Sequence, residues 1–225
     1  MLFAAVETLL DEVAPELHPD LRVAARRVGT DDAGLYPVEA AAMARAIPSR
    51  RAEFAAGRNA ARQALVALGV APCAIPAGED RAPVWPKGIT GSIAHSASAA
   101  LGAAAPSTRL RSIGIDIEPH EPVDTPLVPE ICFDGEVSAF AEPEAVAARR
   151  IFSAKEAAYK AQYPLSKAIF GFDGLRVAAG PSGRLVLRFV HAVPPFDRDQ
   201  TLTVQQWARH GAILSLCQIE PEVRK

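Results

Sequence analysis

The sequence has little that would tie it to an oxidising compartment, a membrane or a polyanion. Its three cysteines, Cys73, Cys132 and Cys217, are odd in number and far apart, and the five histidines do not cluster with them. Neither a disulfide framework nor a structural zinc site is therefore predicted. No stretch approaches the ~20 uninterrupted apolar residues of a membrane span. The opening run MLFAAVETLLDEVAP carries Glu7, Asp11 and Glu12 among its apolar residues and no basic segment ahead of them, unlike a secretory signal. With 24 Lys and Arg against 26 Asp and Glu, a net charge of -2, the chain also lacks the overall field that gathers nucleic acid. These absences predict a reduced, cytoplasmic protein with neither a nucleic-acid nor a membrane partner.

What is present is apolar bulk. The 225 residues are 49% hydrophobic, enough for one large domain or two small ones with a substantial core. Residues 1–45 say little, although Leu21–Arg26 reads as a short strand or turn and an Ala-rich helical pattern begins near Tyr36. A long helix starts near Arg50 after Pro48, buries Phe54, Ala61, Leu65 and Leu68 on one side and ends at Gly69. Arg50, Arg51, Arg58 and Arg62 project from it, and a solvated face is one reading of them. Gly88 and Gly91 bracket a turn before a short strand, with Ser92, His95 and Ser96 as small donors nearby. His95 alone reads equally as a core histidine bonded to a backbone carbonyl.

Two stretches carry more chemistry. In Ile113-Gly114-Ile115-Asp116-Ile117-Glu118 the period of two sends the isoleucines to one face and Asp116 with Glu118 to the other. Two converging carboxylates repel unless a proton or a hard cation such as Mg²⁺ intervenes; the bland alternative is an exposed strand face. Past a proline-dense excursion, Phe152-Ser153-Ala154-Lys155-Glu156-Ala157-Ala158-Tyr159-Lys160 sits in a helix that Pro164 is expected to stop. There Glu156 and Lys160 share a face at i,i+4, as a solvated salt bridge or as half of a metal and phosphate site. Leu165–Phe172 follows as an apolar loop, read as core insertion ahead of a docking lip. Four alternating segments between Leu175 and Ile219 read as antiparallel strands with turns at Pro181-Ser182-Gly183 and His210-Gly211. Phe54, Arg58, Ala60 and Arg62 echo Phe152, Glu156, Ala158 and Lys160 at identical offsets, as two related halves sharing a site would.

Four stretches in order, from Arg51 to Arg58, Trp85 to His95, Gly114 to Glu118 and Phe152 to Lys160, resemble the motif set of the 4'-phosphopantetheinyl transferases, in the monomeric Sfp-like and EntD-like class. Phe152 stands where many relatives have tryptophan. The resemblance implies an α+β fold, a pseudo-twofold duplication of two similar halves, 1–110 and 111–225, each a small mostly antiparallel sheet packed with helices. It implies Mg²⁺-dependent transfer of 4'-phosphopantetheine from coenzyme A to a serine of an apo carrier protein of fatty-acid, polyketide or nonribosomal-peptide systems, by a monomer. Asp116, Glu118 and Glu156 would surround the metal, with Asp116, Glu156 and Lys160 catalytic. Arg50 or Arg51, Arg58, Ser92 and His95 would serve the nucleotide phosphates, the loop from Arg81 through Lys87 the adenylate end, and Lys155 with Lys160 the pyrophosphate. Lys167 and the Leu165–Phe172 lip would dock the carrier. The rivals are a Mg²⁺-dependent phosphohydrolase acting on a nucleotide pyrophosphate and a coenzyme A-binding regulatory module; the acidic triad and Lys160 count against the latter, since binding alone needs no such triad.

Overall fold

A computed structural model describes residues 2–221. Helix α1 (Leu2–Val13) buries Leu2, Val6, Leu9 and Val13 along one stripe, the spacing of an amphipathic helix laid on a core. Strand β1 (Arg22–Arg27) follows, then the short α2 (Pro37–Ala42) and the long α3 (Pro48–Ala67). α3 opens with proline at its first position and gives way to Gly69 at φ +79°, start and stop signals both legible in the sequence. Strands β2 (Ile89–Ser96) and β3 (Ala99–Pro106) form a hairpin, and the first sheet runs β1-β3-β2, all antiparallel. β3 shows no alternation because nearly every residue of it is buried: it is the middle strand, covered on both faces.

The second half begins with β4 (Ser112–Pro119), passes the one-turn α4 (Val128–Ile131) and builds the long α5 (Glu144–Ser166). Strands β5 (Leu175–Ala179), β6 (Leu185–Phe189), β7 (Thr201–Arg209) and β8 (Ala212–Ile219) complete a five-stranded antiparallel sheet in the order β4-β8-β7-β6-β5. In each half a strand leads through a long helix to a hairpin whose second strand lies between the other two, so that β1-β3-β2 recurs as β4-β8-β7. The recurrence covers three strands of each sheet, and β6 and β5 extend one sheet alone. The halves share a core: α1, β2, β3, β4, β7 and β8 all contribute to one apolar cluster that includes Leu9, Leu101, Ile115 and Trp207. Residues 1–45 thus supply a helix that seals the junction.

The long helix approaches its sheet closely. A Cβ at Gly114 on β4 would lie 1.8 Å from the Ala157 carbonyl oxygen of α5, so only glycine lets this strand and helix meet. Two sequence expectations change. Gly88 does turn, at φ +83°, but Gly91 lies inside β2, where its missing side chain makes room for the Trp85 ring. Pro164 does not stop α5, which runs to Ser166 and ends at Lys167 with φ +56°; in the last turn a proline forfeits only one hydrogen bond, and the Lys167 N–H still reaches the Tyr163 carbonyl at 2.9 Å.

Candidate active site

β4 and α5 build the acidic centre between them. Ile113, Ile115 and Ile117 enter the shared core, and the period of two sends Asp116 and Glu118 to the opposite face. Asp116, 5% exposed, accepts from Lys160 Nζ through Oδ1 at 2.7 Å, while its Oδ2 is buried without a hydrogen-bond partner. Glu156 Oε2 stands 3.9 Å from the same ammonium, so Lys160 bridges the two acids. Glu118 is engaged instead by Arg149, whose Nη1 donates to Oε2 at 3.0 Å.

The electrostatics follow from crowding like charges out of water. Burial pushes the Glu118 carboxyl up to about 7, with the Asp116 charge adding to it and Arg149 opposing. Burial likewise raises Glu156 above the ordinary glutamate range, against the pull of Lys160. At Lys160 burial works to lower the ammonium, but Asp116, Glu156 and Glu118 outweigh it and the group is held above the usual lysine range. Among the described residues, no three His, Cys, Asp or Glu side chains stand together as a ready metal site. The donor set nevertheless suits a hard divalent cation: it is all oxygen, and the buried Asp116 Oδ2 lacks the partner that such an atom nearly always has.

The first half contributes the cations. Arg50 Nη1 donates to His95 Nε2 at 2.6 Å and to Glu53 at 3.1 Å. His95 lies below the ordinary histidine range, chiefly through burial and then through the Arg50 charge; Lys160 and Asp116 also act on it, which connects the two clusters. Arg58 is buried over the Phe54 ring, with Nε donating to the Ile75 carbonyl at 2.7 Å. Burial brings its guanidinium down to about 10; Glu39 pulls it up, while Arg62 and Arg50 depress it further. Arg58 and Arg62 are therefore not a solvated face. A cleft of about 530 Å³ runs between the halves, lined by Arg81, Trp85 and Ser92 on one side and Tyr159, Lys160 and Lys167 on the other. Asp80 reaches across it, accepting from Tyr163 Oη at 3.1 Å and from Lys167 Nζ at 3.0 Å.

Several expected contacts fall elsewhere. Lys155 does not face the cleft: it is 2% exposed, and its ammonium donates to the Ile131 carbonyl, Glu136 and the Phe172 carbonyl at 2.8, 2.9 and 3.1 Å. All three donors are committed inside the protein. Arg51 turns to Asp32, leaving Arg50 as the arginine beside His95. The Ser92 hydroxyl accepts the Ile115 N–H at 3.1 Å, joining β2 to β4. Lys87 is exposed and outside the cleft. Leu165, Ala168, Phe170 and Phe172 pack on the apolar cluster of α5 and its sheet that includes Ile151, Leu187 and Phe189, and only Ile169, 81% exposed, remains free at the lip. Sequence reading missed Arg149, which stands seven residues before Glu156 and hence near the same helix face, and Asp80, whose loop carries no motif.

Comparison with known proteins gives two family matches: residues 38–105 to the 4'-phosphopantetheinyl transferase N-terminal domain and residues 112–215 to the 4'-phosphopantetheinyl transferase superfamily. The chain is 37% identical over 145 residues to the 4'-phosphopantetheinyl transferase Npt of Nocardia iowensis, covering 64% of this chain and 65% of that protein. It is 35% identical over 196 residues to PptT of Mycobacterium tuberculosis, covering 82% and 86%. It is also 34% identical over 173 residues to enterobactin synthase component D of Salmonella typhi, covering 74% and 71%. The matched stretch therefore spans slightly less than two thirds of the Nocardia protein and most of the mycobacterial one.

Proposed function

The chain belongs to the 4'-phosphopantetheinyl transferase superfamily, and from that premise we propose that it moves the 4'-phosphopantetheine group of coenzyme A onto a serine hydroxyl of an apo carrier protein. In this reading the serine oxygen forms a bond to the β-phosphorus, the bond from that phosphorus to the adenosine-side oxygen breaks, and adenosine 3',5'-bisphosphate leaves. The observation that carries it is the pairing of Asp116 with Lys160 beside Glu156, with Lys160 also lining the cleft between the halves together with Arg81 and Lys167.

Each residue then has a physical task. Glu156, raised by burial, accepts the serine proton. Lys160, held fully charged by its acidic neighbours, neutralises the departing phosphate oxygens. Arg50 and His95 receive nucleotide phosphate, with Arg58 adding positive potential from beneath. Arg81 stands beside the cleft for the adenylate end. Asp116, Glu118 and Glu156 are the residues that would hold Mg²⁺, whose charge, when bound, would offset that of the pyrophosphate. The division of labour between residues 1–110 and 111–225 belongs to this reading, as does action by a single chain. So does carrier docking at Ile169 and Lys167 by apolar contact plus charge. Carriers of fatty-acid, polyketide or nonribosomal-peptide systems are its substrates.

The test is the intact mass of a purified apo carrier incubated with this chain, coenzyme A and Mg²⁺. A gain of one phosphopantetheinyl group is expected. Phosphate release with no change in the carrier would instead establish the phosphohydrolase alternative, which gains no support from the matched families.

A further inference from the structure

One arginine of the site has no task in this chemistry. Arg149 stands on α5 two turns ahead of Glu156, and its three contacts all go to the end of β4 and the loop that follows. Nη1 donates to Glu118 Oε2 at 3.0 Å, and Nε and Nη2 reach the carbonyls of Glu121 and Pro122, each at 3.4 Å. The Glu118 side chain is 12% exposed and that of Arg149 25%, so the pair is shielded far better than a surface bridge. A guanidinium presents its donors in a rigid plane, so these contacts fix where the strand end stands relative to α5 and which way the Glu118 carboxylate turns. One Glu118 oxygen is thus engaged next to Asp116, whose own Oδ2 is buried and unpartnered.

We propose that Arg149 is a positioning residue: by holding Glu118 and the 119–122 loop against α5, it keeps the Glu118 carboxylate beside Asp116 in the orientation in which both serve one divalent cation. The inference rests on the reading that Asp116, Glu118 and Glu156 hold that cation. A carboxylate ligand restrained by a hydrogen bond from outside the site binds more tightly than a free one, and loss of such a restraint typically lowers metal affinity ~10–100-fold. The competing possibility is that Arg149 only stabilises the fold, and it makes different predictions.

The experiment titrates Mn²⁺ into the full chain with coenzyme A present and no carrier protein, so that no transfer occurs, and reads free Mn²⁺ by electron paramagnetic resonance; thermal midpoints are taken on the same samples. Arg149→Gln is expected to weaken Mn²⁺ binding about 10–100-fold, and Arg149→Lys to recover part of the loss, since an ammonium lacks the planar fork. In a Glu118→Gln background, Arg149→Gln should add less than about twofold, because the two act through one carboxylate. Mn²⁺ binding by Arg149→Gln equal to that of the unsubstituted protein would overturn the proposal, whether or not the midpoint fell. So would an undiminished effect in the Glu118→Gln background. If the unsubstituted protein itself takes up no Mn²⁺, the cation reading fails and the role of Arg149 with it. If Glu118→Gln weakens binding while Arg149→Gln does not, the cation reading stands and only the role given to Arg149 falls.

Discussion

Each half of the protein buries one glutamate against one cation of its long helix, and the two arrangements differ in what they leave over. Glu39, fully buried, accepts the Tyr36 N–H three residues before it, the Ile75 N–H beyond α3 and Arg62 from α3. Glu136 accepts the Phe133 N–H three residues before it, the Val177 N–H beyond α5 and Lys155 from α5. Both acids therefore tie the segments before and after the helix to its buried face. Arg62 spreads its fork onto the Gly34 carbonyl and Asn59 as well, whereas Lys155 spends all three donors within the second half. Outside these knots, α3 keeps Arg50, which bonds His95 and Glu53, and α5 keeps Glu156 with Lys160 beside Asp116, the residues to which the proposed function gives its chemistry. Lys155 and Glu156 are adjacent in the chain and opposite in duty, because successive residues on a helix diverge by about 100°.

The sharpest way to break this comparison is to remove the cation of one knot. Lys155→Met leaves Glu136 buried and unpaired and is expected to destabilise folding by about 3–5 kcal/mol, read from denaturant midpoints. A Lys155→Met protein of unchanged stability that fails in transfer would return Lys155 to the cleft. Next in size is its neighbour: Glu156→Gln should lower the transfer rate about 10²–10³-fold while the unfolding midpoint hardly moves, and a near-normal rate on an apo carrier would sink its assigned role. On the cation side, Arg50→Ala should raise the KM for coenzyme A about 10–100-fold, the value of one charge-assisted contact. Arg51→Ala, which loses only the Asp32 pair, should change it less than about twofold. Equal effects would mean the two arginines had been told apart wrongly.

The smallest effect concerns pH. His95 is held below its ordinary value of 6.5, so the folded state binds fewer protons there than the unfolded chain. Its contribution to stability is fully present above about pH 6.5 and falls away as acid is added through the depressed folded value. His95→Gln should therefore flatten part of the decline in unfolding midpoint as the pH falls below about 6.5, relative to the unsubstituted protein. A parallel decline in both proteins would show that His95 is not the group titrating.

The strands and the long helices were legible because their patterns are local. Alternation from Leu175 to Ile219 marked four strands, and the turn at His210-Gly211 has both residues at positive φ. β3 was not legible as a strand, since burial on both faces erased the alternation that announces one. The echo that aligns Arg62 with Lys160 also misled in one respect: Arg62 does the work of Lys155, because its buried partner Glu39 comes from a separate segment, α2, which the helix pattern does not reveal.

By itself the sequence determined the donors and their faces: Asp116 with Glu118 on one side of a strand, and Glu156 with Lys160 one helical turn apart. Those follow from periods of two and 3.6, properties of the chain alone. Tertiary structure decided which polar groups stand at the acidic centre and its neighbouring cations and which are committed elsewhere. Lys155, Arg51 and Ser92 look as available as Lys160, Arg50 and His95 until Glu136, Asp32 and the Ile115 N–H claim them. A buried polar group must find its partner wherever the fold brings one, and these pairings join residues 19 to 23 positions apart, beyond the reach of any helix or strand period.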